Sequence, residues 1–233
     1  KLITRGELPL GVIDEAALRI VRQKLRFAEV GEPERYGREA VACRAHRDLA
    51  REAAQKSIVL LKNDGRLLPL DLERTPRIAV IGRLARTPNI GDHGSSMVRP
   101  PTVVTPLEGL RQAVAGRGAI VYDDGRSLRT AAGAAGRADV AVVVAGHTYR
   151  DEGEKMPWVG GDRKSLRLSH HDEALIRAAA EANPRTVVVL MGGGPIICEA
   201  WRHQVAAVVM AWYPGMEGGH AIADVLLGRV NPS

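Results

Sequence analysis

The sequence predicts an α/β fold, a mainly parallel sheet sandwiched between helices, and three observations carry that expectation. Apolar runs rich in β-branched residues recur at 78–81, 119–121, 140–145, 186–190 and 205–211. Helical stretches fall between them, and such alternation is the signature of strands joined by right-handed helical crossovers. The core must also be built from Val, Ile, Leu and Ala, because aromatics are only 3% of the 233 residues and Phe occurs once. That is the composition of parallel strands buried on both faces.

Taken in order, residues 11–28 carry Ile13, Ala16, Ala17, Ile20, Val21 and Leu25 at helical spacing, the pattern of an amphipathic helix. Gly31, Pro33 and Gly37 interrupt it. A second helix is expected over 44–56, followed by the apolar run Ile58-Val-Leu-Leu61 and the turn Asn63-Asp-Gly65. This first third reads as a helical lead-in and linker. The five strands come next, with helices expected at 106–115, 128–135, 172–182 and 217–227. The Ala- and Gly-rich piece at 131–136 suits a helix that packs closely. Ser169 can cap the third of these helices, with Asp172 or Glu173 reaching back.

Several function classes are disfavoured. The net charge is +6, but the basic residues are scattered among acids, without the runs that mark a nucleic-acid surface. No stretch reaches the roughly 18 apolar residues needed to span a bilayer, and no signal-peptide pattern opens the chain. Nucleic acid and membrane are therefore not expected partners. Cys43 and Cys198 lack metal or redox spacing, which slightly favours a reducing compartment such as the cytoplasm. The histidines lack H-E-x-x-H spacing, so no metal is expected. No G-x-S-x-G elbow surrounds Ser95 or Ser96. The glycine runs after the fourth and fifth strands, Met191-Gly-Gly-Gly-Pro195 and Trp212-Tyr-Pro-Gly-Met-Glu-Gly-Gly219, match neither the dinucleotide fingerprint nor a P-loop. Tight strand-to-helix turns account for most of them, and nucleotide binding on a doubly wound sheet would need an anion site at a helix start.

The segment with most chemical content is Asp151 to Leu168, DEGEKMPWVGGDRKSLRL, read as a loop leaving the carboxyl end of a buried strand, where open α/β sheets place ligands. A general acid needs partial burial or a neighbouring negative charge, and Asp151, Glu152 and Glu154 crowd three acids together. Arg163, beside Asp162, can pair with one of them and fix the loop. Trp158 can offer a sugar ring an apolar face or act as a hydrophobic anchor. The competing reading is an exposed acidic loop with a surface ion pair. A second polar loop, Gly91-Asp-His-Gly-Ser-Ser96, follows the first strand with donors suited to a hydroxylated ligand, or as a solvated connection.

The motifs Ala50-Arg-Glu-Ala-Ala-Gln-Lys-Ser-Ile-Val-Leu-Leu-Lys-Asn63, Leu67-Leu-Pro-Leu70, Arg77-Ile-Ala-Val-Ile-Gly82, Glu152-Gly153 with Asp162-Arg163, and Ala211 to Gly228 followed by Asn231-Pro-Ser233 together resemble the carboxyl-terminal α/β-sandwich domain of glycoside hydrolase family 3. The resemblance covers about four fifths of the chain. The stretch Leu10 to Lys24 looks like the last helix of that family's catalytic (β/α)8 barrel, which implies residues 1–40 as barrel end and linker and 41–233 as a C-terminally truncated sandwich domain.

The resemblance further implies a retaining exo-β-glycosidase acting on terminal β-linked glucose or xylose, with a nucleophilic Asp on the barrel and an acid/base Glu on the sandwich. Glu152 matches that position, with Glu154 second because loop lengths vary. Asp92, His93, Gly94 and Ser95 match the segment that approaches the sugar, with Trp158 and Arg163 completing the expected substrate-binding set. No cofactor is implied. The partners are a β-linked oligosaccharide or glycoside and a barrel in cis or on a separate chain, without which little activity is expected. A noncatalytic carbohydrate-binding or assembly module is the alternative.

Overall fold

Both faces of the central expected strands are apolar because both are covered, whereas the strand expected at 119–121 lies at the sheet edge with Val121 exposed. In the computed structural model, which describes residues 1–30, 37–154 and 161–233, alternate residues of each central strand enter different cores. Along β4 (Val140–Gly146), Val140, Val142 and Val144 join one core and Ala141, Val143 and Ala145 the other. β5 (Thr186–Met191) and β6 (Ala207–Trp212) divide the same way. This period of two, apolar on both sides, is what a continuous Val/Ile run encodes.

The chain falls into two units, Lys1–Cys43 and Arg44–Ser233. The first holds α1 (Leu10–Val30), whose Ile13, Ile20, Val21 and Leu25 are exposed. The second holds the six-stranded sheet, in the order β1-β6-β5-β4-β2-β3, with β2 at Arg77–Ile81 and β3 at Ala119–Asp123. The five expected strands pair in parallel. The sixth, β1 (Val59–Asn63), pairs antiparallel with β6 at the sheet edge. It comes from the segment expected to be lead-in and linker. Its run is short and only partly buried, and its partner lies far along the chain, so local pattern alone did not distinguish it.

Helices cover both faces. α2 (Arg44–Ser57), α3 (Pro106–Val114) and α7 (Gly218–Leu226) line one core, and α4 (Leu128–Gly136) and α6 (His170–Ala182) the other. Their starts follow from capping chemistry. Thr105 and Glu108 form a capping box on α3 with Pro106 at its first turn. Ser169 caps α6 through the Asp172 amide, as expected. α3 and α7 approach so closely that a Cβ on Gly109 would lie 2.0 Å from the Gly219 carbonyl oxygen, and one on Gly219 would lie 2.0 Å from the Thr105 carbonyl oxygen, which explains one glycine of the Trp212–Gly219 motif by packing. Asp224 of α7, 1% exposed, is held by a two-pronged contact from Arg51 at 2.6 and 2.7 Å and by Gln55 at 2.6 Å, tying α2 to α7.

The parallel order β3-β2-β4-β5-β6 reverses direction between β2 and β4. A crevice forms at the carboxyl ends of strands where such a reversal occurs. The segments that matter leave this end: residues 82–105 after β2, 147–154 and 161–168 after β4, 192–194 after β5 and 213–217 after β6.

Candidate active site

β4 ends at Gly146, where a Cβ would meet the Met191 carbonyl oxygen at 1.9 Å, so only glycine lets the two strand ends run this close. The chain then turns into a single helical turn, α5 (Tyr149–Glu152), with Thr148 and Asp151 forming a capping box. Glu152 therefore closes a short helix instead of lying within a loop, and the Thr148-x-x-Asp151 spacing is the sequence signal that marked it. Gly153 follows because nothing larger fits. Its Cβ would stand 2.5 Å from the Tyr149 carbonyl oxygen and 2.6 Å from that of Asp92.

The crowding of acids expected around Glu152 is absent, because each neighbour turns to its own partners. Asp151 accepts from the Thr148 amide and hydroxyl. Glu154 accepts from the Ser95 hydroxyl at 3.1 Å. Of these three acids Glu152 alone enters the crevice, with its side chain 8% exposed. One carboxylate oxygen, Oε1, lies 3.1 Å from Arg163 Nη1. The other accepts from the Gly193 amide at 2.5 Å and from the Tyr213 hydroxyl at 2.7 Å.

These partners come from the segments after three strands, β4, β5 and β6, and glycine makes room for them. A Cβ on Gly192 would press on the Glu152 carboxylate at 3.2 Å, one on Gly193 would lie 3.0 Å from Tyr213 Cε2, and one on Gly194 would meet Arg163 Nη2 at 2.6 Å. Gly192 also adopts φ 158°, a region that side chains rarely occupy. The glycine run after β5 is thus a cradle for a carboxylate and its counter-ion. Arg163 is anchored further by donating to the Pro195 carbonyl at 2.9 Å.

The resulting cleft, about 510 Å³, is lined by Asp92, Glu152, Asp162, Arg163, Gly193, Gly194 and Tyr213. Burial, then the hydrogen bond to Glu152, push the Tyr213 hydroxyl well above its ordinary pKa, so it keeps its proton and donates. Behind the cleft, His147 is 7% exposed, and burial followed by the charge of Arg163 lowers its pKa. Its Nε2 has no hydrogen-bond partner among the described residues.

Of the residues singled out from sequence, Glu152, Asp92 and Arg163 meet in this cleft. His93 stacks on Tyr149, ring centres 4.0 Å apart, while Ser95 and Gly94 lie against Glu154. Those contacts clasp the 91–96 loop to α5. Asp92 is engaged by the Ser96 hydroxyl. Trp158 lies outside the described residues. Sequence reading missed Tyr213 and the amide of Gly193. Tyr213 stood in a glycine-rich motif and gave no signal of its own, since its partner belongs to another strand end.

No group of three His, Cys, Asp or Glu side chains suited to a metal occurs among the described residues, and none of the described helices is long and apolar enough to cross a membrane.

Residues 58–233 match the family model described as the glycosyl hydrolase family 3 C-terminal domain. The chain is 33% identical over 236 residues to a beta-xylosidase of Formosa agariphila, covering 94% of this chain and 32% of that protein. It is 34% identical to thermostable beta-glucosidase B of Acetivibrio thermocellus, covering 99% of this chain and 30% of that protein. Among solved structures, the beta-glucosidase from Listeria innocua in complex with isofagomine superposes with a TM-score of 0.81 at 27% identity, over 100% of this chain and 33% of that one. The GH3 beta-glucosidase of Bifidobacterium adolescentis gives 0.69 at 35% identity, over 81% of this chain and 28% of that one. The chain spans about a third of the length of these relatives.

Proposed function

The chain belongs to glycosyl hydrolase family 3 as its C-terminal domain, and on that premise we propose that it is the acid/base-bearing part of a retaining exo-β-glycosidase acting on terminal β-linked glucose or xylose. The observation that carries this is the position of Glu152: a carboxylate at the carboxyl end of a parallel sheet, lining an open cleft, oriented by hydrogen bonds from the Gly193 amide and the Tyr213 hydroxyl and paired with the charge of Arg163. Orientation by fixed donors is what a proton-transfer group requires. Glu154 is exposed and bound to Ser95, which favours Glu152 of the two.

In this reading Glu152 protonates the glycosidic oxygen as the bond to the sugar breaks, then takes a proton from the water that releases the sugar. Retaining hydrolysis needs a second carboxyl group about 5–5.5 Å away acting as nucleophile. That group would come from a (β/α)8 barrel, in cis or as a separate chain, with residues 1–40 as the barrel's end. The chain alone would then turn over little or no substrate. The mechanism calls for no cofactor.

One observation favours a second reading. Both Glu152 oxygens are already engaged, which also suits a structural ion pair in a noncatalytic carbohydrate-binding or assembly module.

Hydrolysis of aryl β-glucosides and β-xylosides by the complete enzyme separates the two. Glu152→Ala should lower kcat/KM about 10²- to 10⁴-fold with poor leaving groups, with azide restoring turnover of activated substrates. The same result at Glu154→Ala would move the assignment by two residues. Unchanged turnover in both would leave the binding-module reading.

A further inference from the structure

Tyr213 reaches Glu152 from a strand end that the sequence did not connect with it. It follows Trp212, the last residue of β6, whose φ of 55° bends the chain out of the sheet. The phenol then points toward the end of β4, and its hydroxyl donates to Glu152 Oε2 at 2.7 Å.

The three contacts on Glu152 are not equivalent. Arg163 touches Oε1, and the Gly193 amide touches Oε2. Arg163 lies in the segment after β4, whereas Gly193 and Tyr213 extend from β5 and β6, which are paired in the sheet. The ring of Tyr213 also lies against Gly193, where an added Cβ would sit 3.0 Å from Tyr213 Cε2. Two rigid strand ends therefore grip the same carboxylate oxygen. The Tyr213 hydroxyl has no other hydrogen-bond acceptor than Glu152 among the described residues.

We infer that Tyr213 is a positioning residue: its hydroxyl fixes the plane of the Glu152 carboxylate in the cleft, so that the proton is delivered along the line of the departing glycosidic oxygen. This rests on the acid/base reading of Glu152. Tyr213 gives up no proton in the cycle. Glu152 passes its proton to the leaving oxygen as the C–O bond breaks and regains one from water as the second C–O bond forms, while Tyr213 remains the donor throughout.

The test compares wild type, Tyr213→Phe, Glu152→Ala and the double variant in the complete enzyme, using 2,4-dinitrophenyl β-glucoside and methyl β-glucoside. The substitution to Phe keeps the ring and removes only the hydroxyl. A misaligned acid should cost about 10- to 100-fold in kcat/KM with the methyl glycoside, whose departure needs proton help, and less than about threefold with the dinitrophenyl glycoside. In the Glu152→Ala background the same change should cost nothing further, because a residue acting through Glu152 has nothing left to act on.

Equal losses on both substrates, or a full additional loss in the Glu152→Ala background, would reduce Tyr213 to a packing role. A silent Tyr213→Phe beside a leaving-group-dependent Glu152→Ala would overturn this inference alone. A Glu152→Ala variant with no leaving-group dependence would remove both it and the acid/base reading.

Discussion

The Glu152 carboxylate lies 3.1 Å from the Arg163 guanidinium, and the two side chains are only 8% and 14% exposed. Removing one member of such a pair strands the other's charge in a poorly solvated place. Arg163→Met should lower stability by about 3 kcal/mol in urea unfolding of the chain. Adding Glu152→Gln should return more than half of that loss. Purely additive losses would show that the pair does not couple energetically.

Gly153 links α5 to the 91–96 loop with no space for a Cβ, because the obstructing atoms are backbone carbonyls of Tyr149 and Asp92 that cannot swing aside. Gly153→Ala should therefore destabilise by about 1–3 kcal/mol, as overpacking does, and should lower activity of the complete enzyme by shifting Glu152. Gly91→Ala is the control, since an added Cβ there meets nothing within 4 Å. Its melting temperature should match wild type.

His147 makes stability depend on pH in a defined direction. Burial, then Arg163, hold its native pKa below the ordinary 6.5, while Glu152, Asp151 and Asp172 oppose them more weakly. Below about pH 6.5 the unfolded chain takes up the proton before the native one does, so stability falls with falling pH until the native value is reached. The contribution of this one group is at most about 1.4 kcal/mol per pH unit. Urea midpoints between pH 7.5 and 5.5 should drop less in His147→Gln than in wild type. Asp172, whose burial raises its carboxyl above 3.8, acts in the opposite sense at lower pH.

Much of the fold was legible in the chain because its determinants are local. Continuous apolar runs flanked by caps and glycines specify buried parallel strands and the helices between them, and Ser169 announced the start of α6. The edge strand β1 was not legible, since a short half-buried run becomes a strand only when β6 offers its edge. At the site, residue types pointed to Glu152, Arg163 and the 91–96 loop, but adjacency in sequence misled about the acids. Asp151, Glu152 and Glu154 take separate directions because a helical turn and its cap rotate neighbouring side chains apart.

By itself the sequence determined the α/β class, the alternation of its five parallel strands with helices and the resemblance to a family, all properties of spacing along the chain. Tertiary structure alone decided which acid enters the cleft and what holds it. The amide of Gly193 and the hydroxyl of Tyr213 meet Glu152 only because three parallel strands end side by side. Hydrogen bonds act over about 3 Å, and no local pattern records which distant residues the sheet will bring within that distance.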